Sequence, residues 1–277
     1  MSWQSWPELI GEGYALGLNY ADHAREAALA AQPVVFRKSC RPAPGATEVC
    51  LPSRNAIYEK ALALDPALCA RLRLTPASIW PGLDSEVELG LILREDYDGR
   101  CDGLPALGYF LANDISLRGL QLMGEGSDEP LKFWQAAKSF PGFLPVSAQL
   151  WVAEPAWPAW PDWPDWRLRC AVRGRWRQDA SLQQMLLSPR QLLDAVMQTA
   201  GRPLRAGDWI LSGTPAGVAL RLSARQRRWA RYLPASLRVR AAWQLQKRRS
   251  GYLHVGDELE MRLEDWPALH CRIVAAP

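Results

Sequence analysis

Four groups of side chains in this sequence have residue types that chemistry needs. The first is Glu86 and Glu88, in Asp84-Ser85-Glu86-Val87-Glu88-Leu89-Gly90-Leu91-Ile92-Leu93. The stretch alternates like a strand, and residues two apart on a strand leave on one face. Two carboxylates beside an apolar run repel each other and are costly to desolvate. A hard divalent cation relieves both problems, because Mg2+ and Mn2+ prefer carboxylate oxygens. The bland alternative is the wet face of an ordinary edge strand, and for a lone E-x-E it is the better one. The second group is Asp114. It falls where the strand-like first half of 108–121 gives way to the start of a helix, which Asp114 could simply cap. The third is His23 with Glu26, three apart on a helix favoured by alanine and open to capping by Asn19 or Asp22. A carboxylate there orients an imidazole and raises its basicity, as a general base requires, although such pairs are also routine surface contacts. The fourth is Lys138, in the apolar run from Phe133 to Phe140, either an anion-binding group or a lysine snorkelling to the surface.

The elements that must hold these groups follow from patterning. Residues 10–20 read as a strand and turn leading into the His23 helix, and Pro33 to Lys38 as a short strand. Residues 54–75 read as one or two helices rich in Ala and Leu, ending near Thr75-Pro76. A chain of 277 residues has room for one large domain or two small ones, with ample apolar material for a core. The net charge of +4 is too small to imply nucleic acid, and no apolar run is long enough to span a bilayer. The first eight residues show neither a basic nor an apolar leader region, so no signal peptide is expected. Six scattered cysteines without a C-x-x-C pair argue against a disulfide framework or zinc site, and for thiols in a reducing cytoplasm.

Taken in order, the motifs are more specific than any one of them. They are G-x-N-Y-A-D-H-A-R-E with P-V-V-F-x-K, then D-x-E-V-E-L, G-Y-x-x-x-N-D-x-S-x-R-x-L-Q, K-S-F-x-G-F-x-P and G-D-x-I-x-S-G-T-P-A-G-V. This series resembles the fumarylacetoacetate hydrolase family, in particular its acylpyruvase and oxaloacetate decarboxylase branch. The resemblance covers roughly 11–52, 83–148 and 168–220. It implies an α+β fold, a mixed β-roll or distorted β-barrel flanked by helices. Residues 1–52 would supply an N-terminal strand and lid to the same domain, and 53–277 the catalytic roll with two insertions. By the resemblance, Glu86, Glu88 and Asp114 match the metal carboxylates and Lys138 the lysine on the substrate oxygen. Arg118, Gln121 and Thr214 match substrate-facing positions, and His23 and Glu26 the dyad of the lid. The implied cofactor is a divalent metal, Mg2+ first, with Mn2+ or Ca2+ as alternatives. The implied assembly is a cytoplasmic homodimer acting on a small 2-oxo or 2,4-dioxo acid, with neither membrane nor nucleic acid as partner.

The sequence also departs from the pattern. Gly119 stands where the family carries an acid between Arg118 and Gln121, which leaves the orientation of Arg118 open, and Ala219 replaces a glycine. Two stretches look inserted, about 54–80 and 221–250. The second holds about ten Lys and Arg and no acid, so the rest of the chain is mildly acidic. It reads as a solvated helix-and-strand insertion that packs against a partner subunit; a basic patch for nucleic acid or anionic lipid is the sharper alternative. Trp157, Trp160, Trp163 and Trp166 recur every third residue, which on a polyproline II helix would align them along one edge packed flat on the domain or a dimer mate.

A metal held by three carboxylates leaves positions for the two oxygens of a 2-oxo acid and acts as a Lewis acid on an adjacent enolate. With the His23–Glu26 dyad delivering water to the distal carbonyl, an acylpyruvate would split into pyruvate and a carboxylic acid. Without that water, the same site would decarboxylate oxaloacetate-like acids, or isomerise or hydrate dienoates. The alternative from another class is a diverged, non-catalytic relative whose pocket binds a ligand while the basic insertion or tryptophan edge binds a partner.

Overall fold

The structure, a computed structural model, describes residues 2–26, 32–100, 102–152, 160–221, 228 and 232–276, with the side chains of Ala24 and Glu26 left out. In chain order the strands begin with β1 (Ser2–Gln4), β2 (Gly13–Gly17), β3 (Val34–Lys38), β4 (Ala43–Pro44) and β5 (Glu48–Leu51). Then come β6 (Leu83–Asp84), β7 (Val87–Leu93), β8 (Leu107–Asn113), β9 (Ser116–Leu117), β10 (Pro145–Val146) and β11 (Leu150–Val152). The last are β12 (Arg167–Val172), β13 (Arg175–Ser181), β14 (Trp209–Leu211), β15 (Glu258–Leu263) and β16 (Leu269–Ala275). The helices are α1 (Ala21–Glu26), α2 (Arg54–Leu64), α3 (Pro66–Leu72), α4 (Arg118–Met123), α5 (Pro130–Ala137), α6 (Pro189–Ala200) and α7 (Ala235–Lys247).

Among the described residues a nine-stranded sheet runs β1-β11-β8-β7-β14-β2-β3, with β10 beside β8 and β4 beside β10. A five-stranded sheet runs β13-β12-β15-β16-β5, and β6 pairs with β9. The class is α+β, and the roll is two sheets rather than a closed barrel, since neither run of pairings returns to its start. β7 and β8 form its centre, antiparallel with Val87 opposite Asn113 and Leu93 opposite Leu107. Both are buried end to end because both faces are covered. Val87, Leu89, Leu91 and Leu93 enter the larger core with Tyr109 and Leu111. Ile92, Phe110 and Ala112 enter a second core on the opposite face with Ala15, Phe36, Trp209 and Leu211. Gly90 is required there: a Cβ would stand 2.1 Å from Cε2 of Phe110.

The two apparent insertions form one helical layer. Ser53 caps α2 by accepting from Ala56 N, and Asp65 caps α3 by accepting from Leu68 N, followed by Pro66 at the first helical position. α7 lies across α3, where Arg240 donates to Leu72 O at 2.8 Å. Its inner face buries Val239 and Trp243, and the Trp243 indole donates to Gly119 O at 2.9 Å. The α7 part of the basic insertion thus packs on its own chain; most of 222–231 lies outside the described residues.

The tryptophan tract differs from expectation. Trp157 lies outside the described residues. Trp160 and Trp166 touch edge to face, with centroids 4.9 Å apart. Six residues of polyproline II would advance about 19 Å, so the chain folds back between them. They pack with Trp151 and Trp266, whereas Trp163 donates to Leu187 O at 2.7 Å. The five cysteines among the described residues, Cys40, Cys50, Cys69, Cys170 and Cys271, are free thiols.

Candidate active site

The register of β7 and β8 explains how three acids meet. Glu86 and Glu88 continue the face of Gly90 and Ile92, and Asp114 continues that of Phe110 and Ala112. Asp114 N donates to Glu86 O at 2.8 Å, which brings the start of one strand against the end of the other. Carboxylate oxygens of Glu86, Glu88 and Asp114 lie within 4.8 Å of one another, all buried. Asp114 is not a helix cap; Leu117 occupies that position and supplies no side-chain bond.

Cations close in from three other elements. Lys138, at the C-terminal end of α5, is neither snorkelling nor exposed. Its ammonium donates to Glu86 Oε2 at 2.5 Å and to Asp114 Oδ2 at 2.7 Å. Lys38, the last residue of β3 and two beyond Phe36 on the same face, pairs with Asp114 Oδ1 and donates to Lys138 O at 2.6 Å. Arg118 pairs with Glu86 through Nη2, reaches Asp84 Oδ2 at 3.0 Å through Nε, and gives Nη1 to Gln121 Oε1 at 2.8 Å. Asp84 thus fixes the orientation of Arg118 that Gly119 left open. It is itself held by Arg177 at 3.2 Å and by Ala219 N at 2.9 Å.

Burial alone would push the Glu86 carboxyl up, but Arg118, Lys138 and then His23 hold it well below the usual carboxylate range. Glu88 goes the other way. Burial, then the Asp114 and Glu86 charges, push it well above that range, and Lys138 and the Gly213 amide offset only part. Among the described residues its one hydrogen-bond donor is Gly213 N at 2.7 Å, from the loop after β14. That loop is fixed by Asn19, which donates to Ser212 O and accepts from Leu187 N instead of capping α1. The buried Tyr20 hydroxyl, whose ionisation burial and then Glu88 oppose, has no hydrogen-bond partner among the described residues. A dense set of buried carboxylate oxygens, one acid short of a cation, fits a hard divalent ion held by Glu86, Glu88 and Asp114.

Of the triad, Glu86 lines a cavity of about 190 Å3, together with the polar side chains of His23, Arg118, Gln121, Lys138 and Thr214. The candidate residues with described side chains either line this cavity or, like Glu88 and Asp114, have a carboxylate oxygen within 4.8 Å of that of Glu86; the Glu26 side chain lies outside the described residues. Thr214 donates its hydroxyl to Val87 O at 3.0 Å and accepts from Gln178 at 2.7 Å. Gln178 also accepts from Val87 N at 3.0 Å, so a β13 side chain ties the metal-strand entrance to the Thr214 loop. Lys38, Asp84, Gln178 and Tyr20 were not singled out from sequence. Lys38 and Asp84 sit inside quoted motifs, but Gln178 carried no signal.

The family profile described as "Fumarylacetoacetate (FAA) hydrolase C-terminal" matches residues 13–274, and the chain belongs to that family. It is 31% identical over 215 residues to the mouse mitochondrial oxaloacetate tautomerase FAHD1, covering 73% of this chain and 79% of that one. It is 29% identical over 214 residues to the bovine mitochondrial oxaloacetate tautomerase FAHD2B, covering 74% of this chain. That match spans 56% of the bovine protein, little more than half its length. Among solved structures, the fold is shared with the fumarylpyruvate hydrolase of Pseudomonas aeruginosa in complex with Mn2+ and pyruvate. The TM-score is 0.63 at 18% identity, over 99% of this chain and 96% of that one. It is shared also with a 2-hydroxyhepta-2,4-diene-1,7-dioate isomerase of Mycobacterium marinum, at TM-score 0.57 and 21% identity, over 97% and 76%. No helix among the described residues is long and apolar enough to cross a membrane.

Proposed function

We propose that the protein is a metal-dependent hydrolase that cleaves a C–C bond of a 2,4-dioxo acid, an acylpyruvate, through an enolate. The observation that carries this reading is the buried Glu86–Glu88–Asp114 triad, with Lys138 donating to Glu86 and Asp114 and with Glu86 lining a cavity that His23 and Lys138 also line. A divalent ion on these carboxylates, Mg2+ in this reading, supplies Lewis acidity to the 2-oxo group. Lys138 has three N–H donors and uses two on Glu86 and Asp114, which leaves the third for a substrate oxygen that gains charge. Arg118 and Gln121 line the wall along which the substrate lies, and the Thr214 loop takes its carboxylate. His23 takes a proton from water as the oxygen adds to the C4 carbonyl. The C3–C4 bond then breaks, its electron pair passes to C3 as the enolate of pyruvate, and the acyl group leaves as a carboxylic acid. Protonation of C3 completes pyruvate. The assignment of Glu26 as the partner that orients His23 rests on the sequence resemblance.

A second reading has a specific support, the naming of the 31%-identical relative as an oxaloacetate tautomerase. The same enolate site, used without added water, would exchange the keto and enol forms of oxaloacetate or release its carboxyl group. An ultraviolet assay of enol loss separates the readings when pyruvate and CO2 are measured alongside. With acetylpyruvate and Mg2+ or Mn2+, the hydrolase reading expects pyruvate in step with enol loss. It also expects that turnover stops in EDTA and falls about 100-fold or more in Glu88→Gln. Enol loss from oxaloacetate without pyruvate or CO2, and no acetylpyruvate cleavage, would replace it with tautomerisation.

A further inference from the structure

The pairing of β13 with β12 sets Cys170 opposite Gln178 and Ala171 opposite Trp176, so Arg177 is an extra residue between them. Such a bulge breaks the alternation of a strand and re-aims its side chains, commonly beside active sites. Here two consecutive side chains, Arg177 and Gln178, reach one segment, 214–219, whose Thr214 and Val218 line the cavity. Arg177 donates to Gly217 O at 3.3 Å and to Gly251 O at 2.8 Å. Gly217 has a φ of +111° and rests against the bulge, where a Cβ would stand 1.9 Å from the Arg177 carbonyl oxygen.

The buried Gln178 amide also sets the direction of the Thr214 hydroxyl. Val87 N can only donate and Pro215 O can only accept, which puts Gln178 Oε1 on the first at 3.0 Å and Nε2 on the second at 2.9 Å. The other Nε2 proton goes to Thr214 Oγ1 at 2.7 Å. The hydroxyl has one proton of its own, and that proton goes to Val87 O at 3.0 Å. The Thr214 hydroxyl therefore offers the cavity no donor, whereas a carboxylate can only accept. The neighbouring main-chain amides Gly213 N and Ala219 N are engaged by Glu88 and Asp84. Thr214 N donates to no group among the described residues.

We propose, resting on the 2-oxo acid reading above, that Gln178 is a positioning residue for the substrate. By fixing both the hydroxyl of Thr214 and the carbonyl of Pro215, it aims the Thr214 N–H at the carboxylate of a 2-oxo acid. The bulge at Arg177 is the device that brings Gln178 to this segment. No hydrogen bond joins Gln178 to Glu86, Glu88 or Asp114 among the described residues, so its effect on substrate is separable from metal binding.

Pyruvate is the probe, because it carries the carboxylate and 2-oxo group that every substrate in that reading shares. The full chain is titrated calorimetrically with Mn2+, and the Mn2+-loaded chain then with pyruvate. Gln178→Met removes all three hydrogen bonds without adding charge. It should weaken pyruvate about tenfold or more, since small misplacements of a binding group are costly, and change Mn2+ affinity much less. Gln178→Asn keeps the same groups on a side chain too short to hold Val87 N and Thr214 together. It should act in the same direction, and it decides alone if Gln178→Met does not fold. A role in stability alone would lower the melting temperature and leave pyruvate affinity unchanged. That result, or a fall in pyruvate affinity no larger than the fall in Mn2+ affinity, overturns the proposal and leaves the 2-oxo acid reading standing. An unaltered chain that binds Mn2+ but not pyruvate overturns both.

Discussion

At the scale of single residues, the site is a problem of compensating buried charge. Asp114 has two ammonium partners, Lys138 and Lys38, and the Lys38 side chain is fully buried. Removing one partner of a buried pair strands the other's charge, whereas an exposed pair such as Lys132 with Glu129 contributes little. Lys38→Met should therefore lower the unfolding free energy by about 3 kcal/mol, and Lys132→Met by less than about 1 kcal/mol. Urea denaturation of both variants measures the contrast, and equal stabilities would mean that Asp114 relies on Lys138 alone. Glu88 is the acid this scheme leaves over. Among the described residues it accepts from a backbone amide and from no cationic side chain, and burial with the Asp114 and Glu86 charges pushes its carboxyl well above the usual range, which is why an ion belongs beside it.

At the scale of elements, the departure at position 119 has a packing cause. A Cβ on Gly119 would stand 1.6 Å from the Trp80 carbonyl oxygen, and the Trp243 indole grips the Gly119 carbonyl from the other side. Trp80 ends the first insertion and Trp243 belongs to the second, so the helical layer fills the space a side chain at position 119 would need. α4 is clamped by that layer, and Asp84 orients Arg118 from β6. Gly119→Ala must push α4 and the layer apart, at a cost of about 2 kcal/mol or more by the general scale of overpacking. Because Arg118 is the next residue, the variant should also lose acylpyruvate turnover. Thermal unfolding and the enol assay on one preparation check both effects, and an unaltered melting temperature would show that Trp80 yields freely. Gly119→Asp should do worse, since an acid can return to this position only if the layer withdraws.

At the scale of the whole molecule, what was legible in the sequence is what periodicity encodes. Alternation placed Glu86 and Glu88 on one face, and the change of period at Asn113 put Asp114 at the strand's end. Alternation cannot name partners far along the chain. Lys38 meets Asp114 across 76 residues, and Gln178 reaches Val87 across 91. The three-residue tryptophan repeat misled for the related reason that a local period says nothing about folding back onto Trp151 and Trp266. Those same long-range links tie the site to global stability. The triad spans the meeting of β7 and β8, and Gln178 joins that meeting to the smaller sheet. An ion bound by the folded triad alone must stabilise the whole fold by mass action, by about 2.7 kcal/mol at a hundredfold excess over its dissociation constant. For a chain of this size that is a rise of about 5–10 °C in melting temperature. EDTA-stripped protein titrated with Mn2+ or Mg2+ should show this rise, and Glu88→Gln should show little of it. An equal rise in both proteins would place the ion elsewhere, because only a ligand that engages Glu88 can distinguish them.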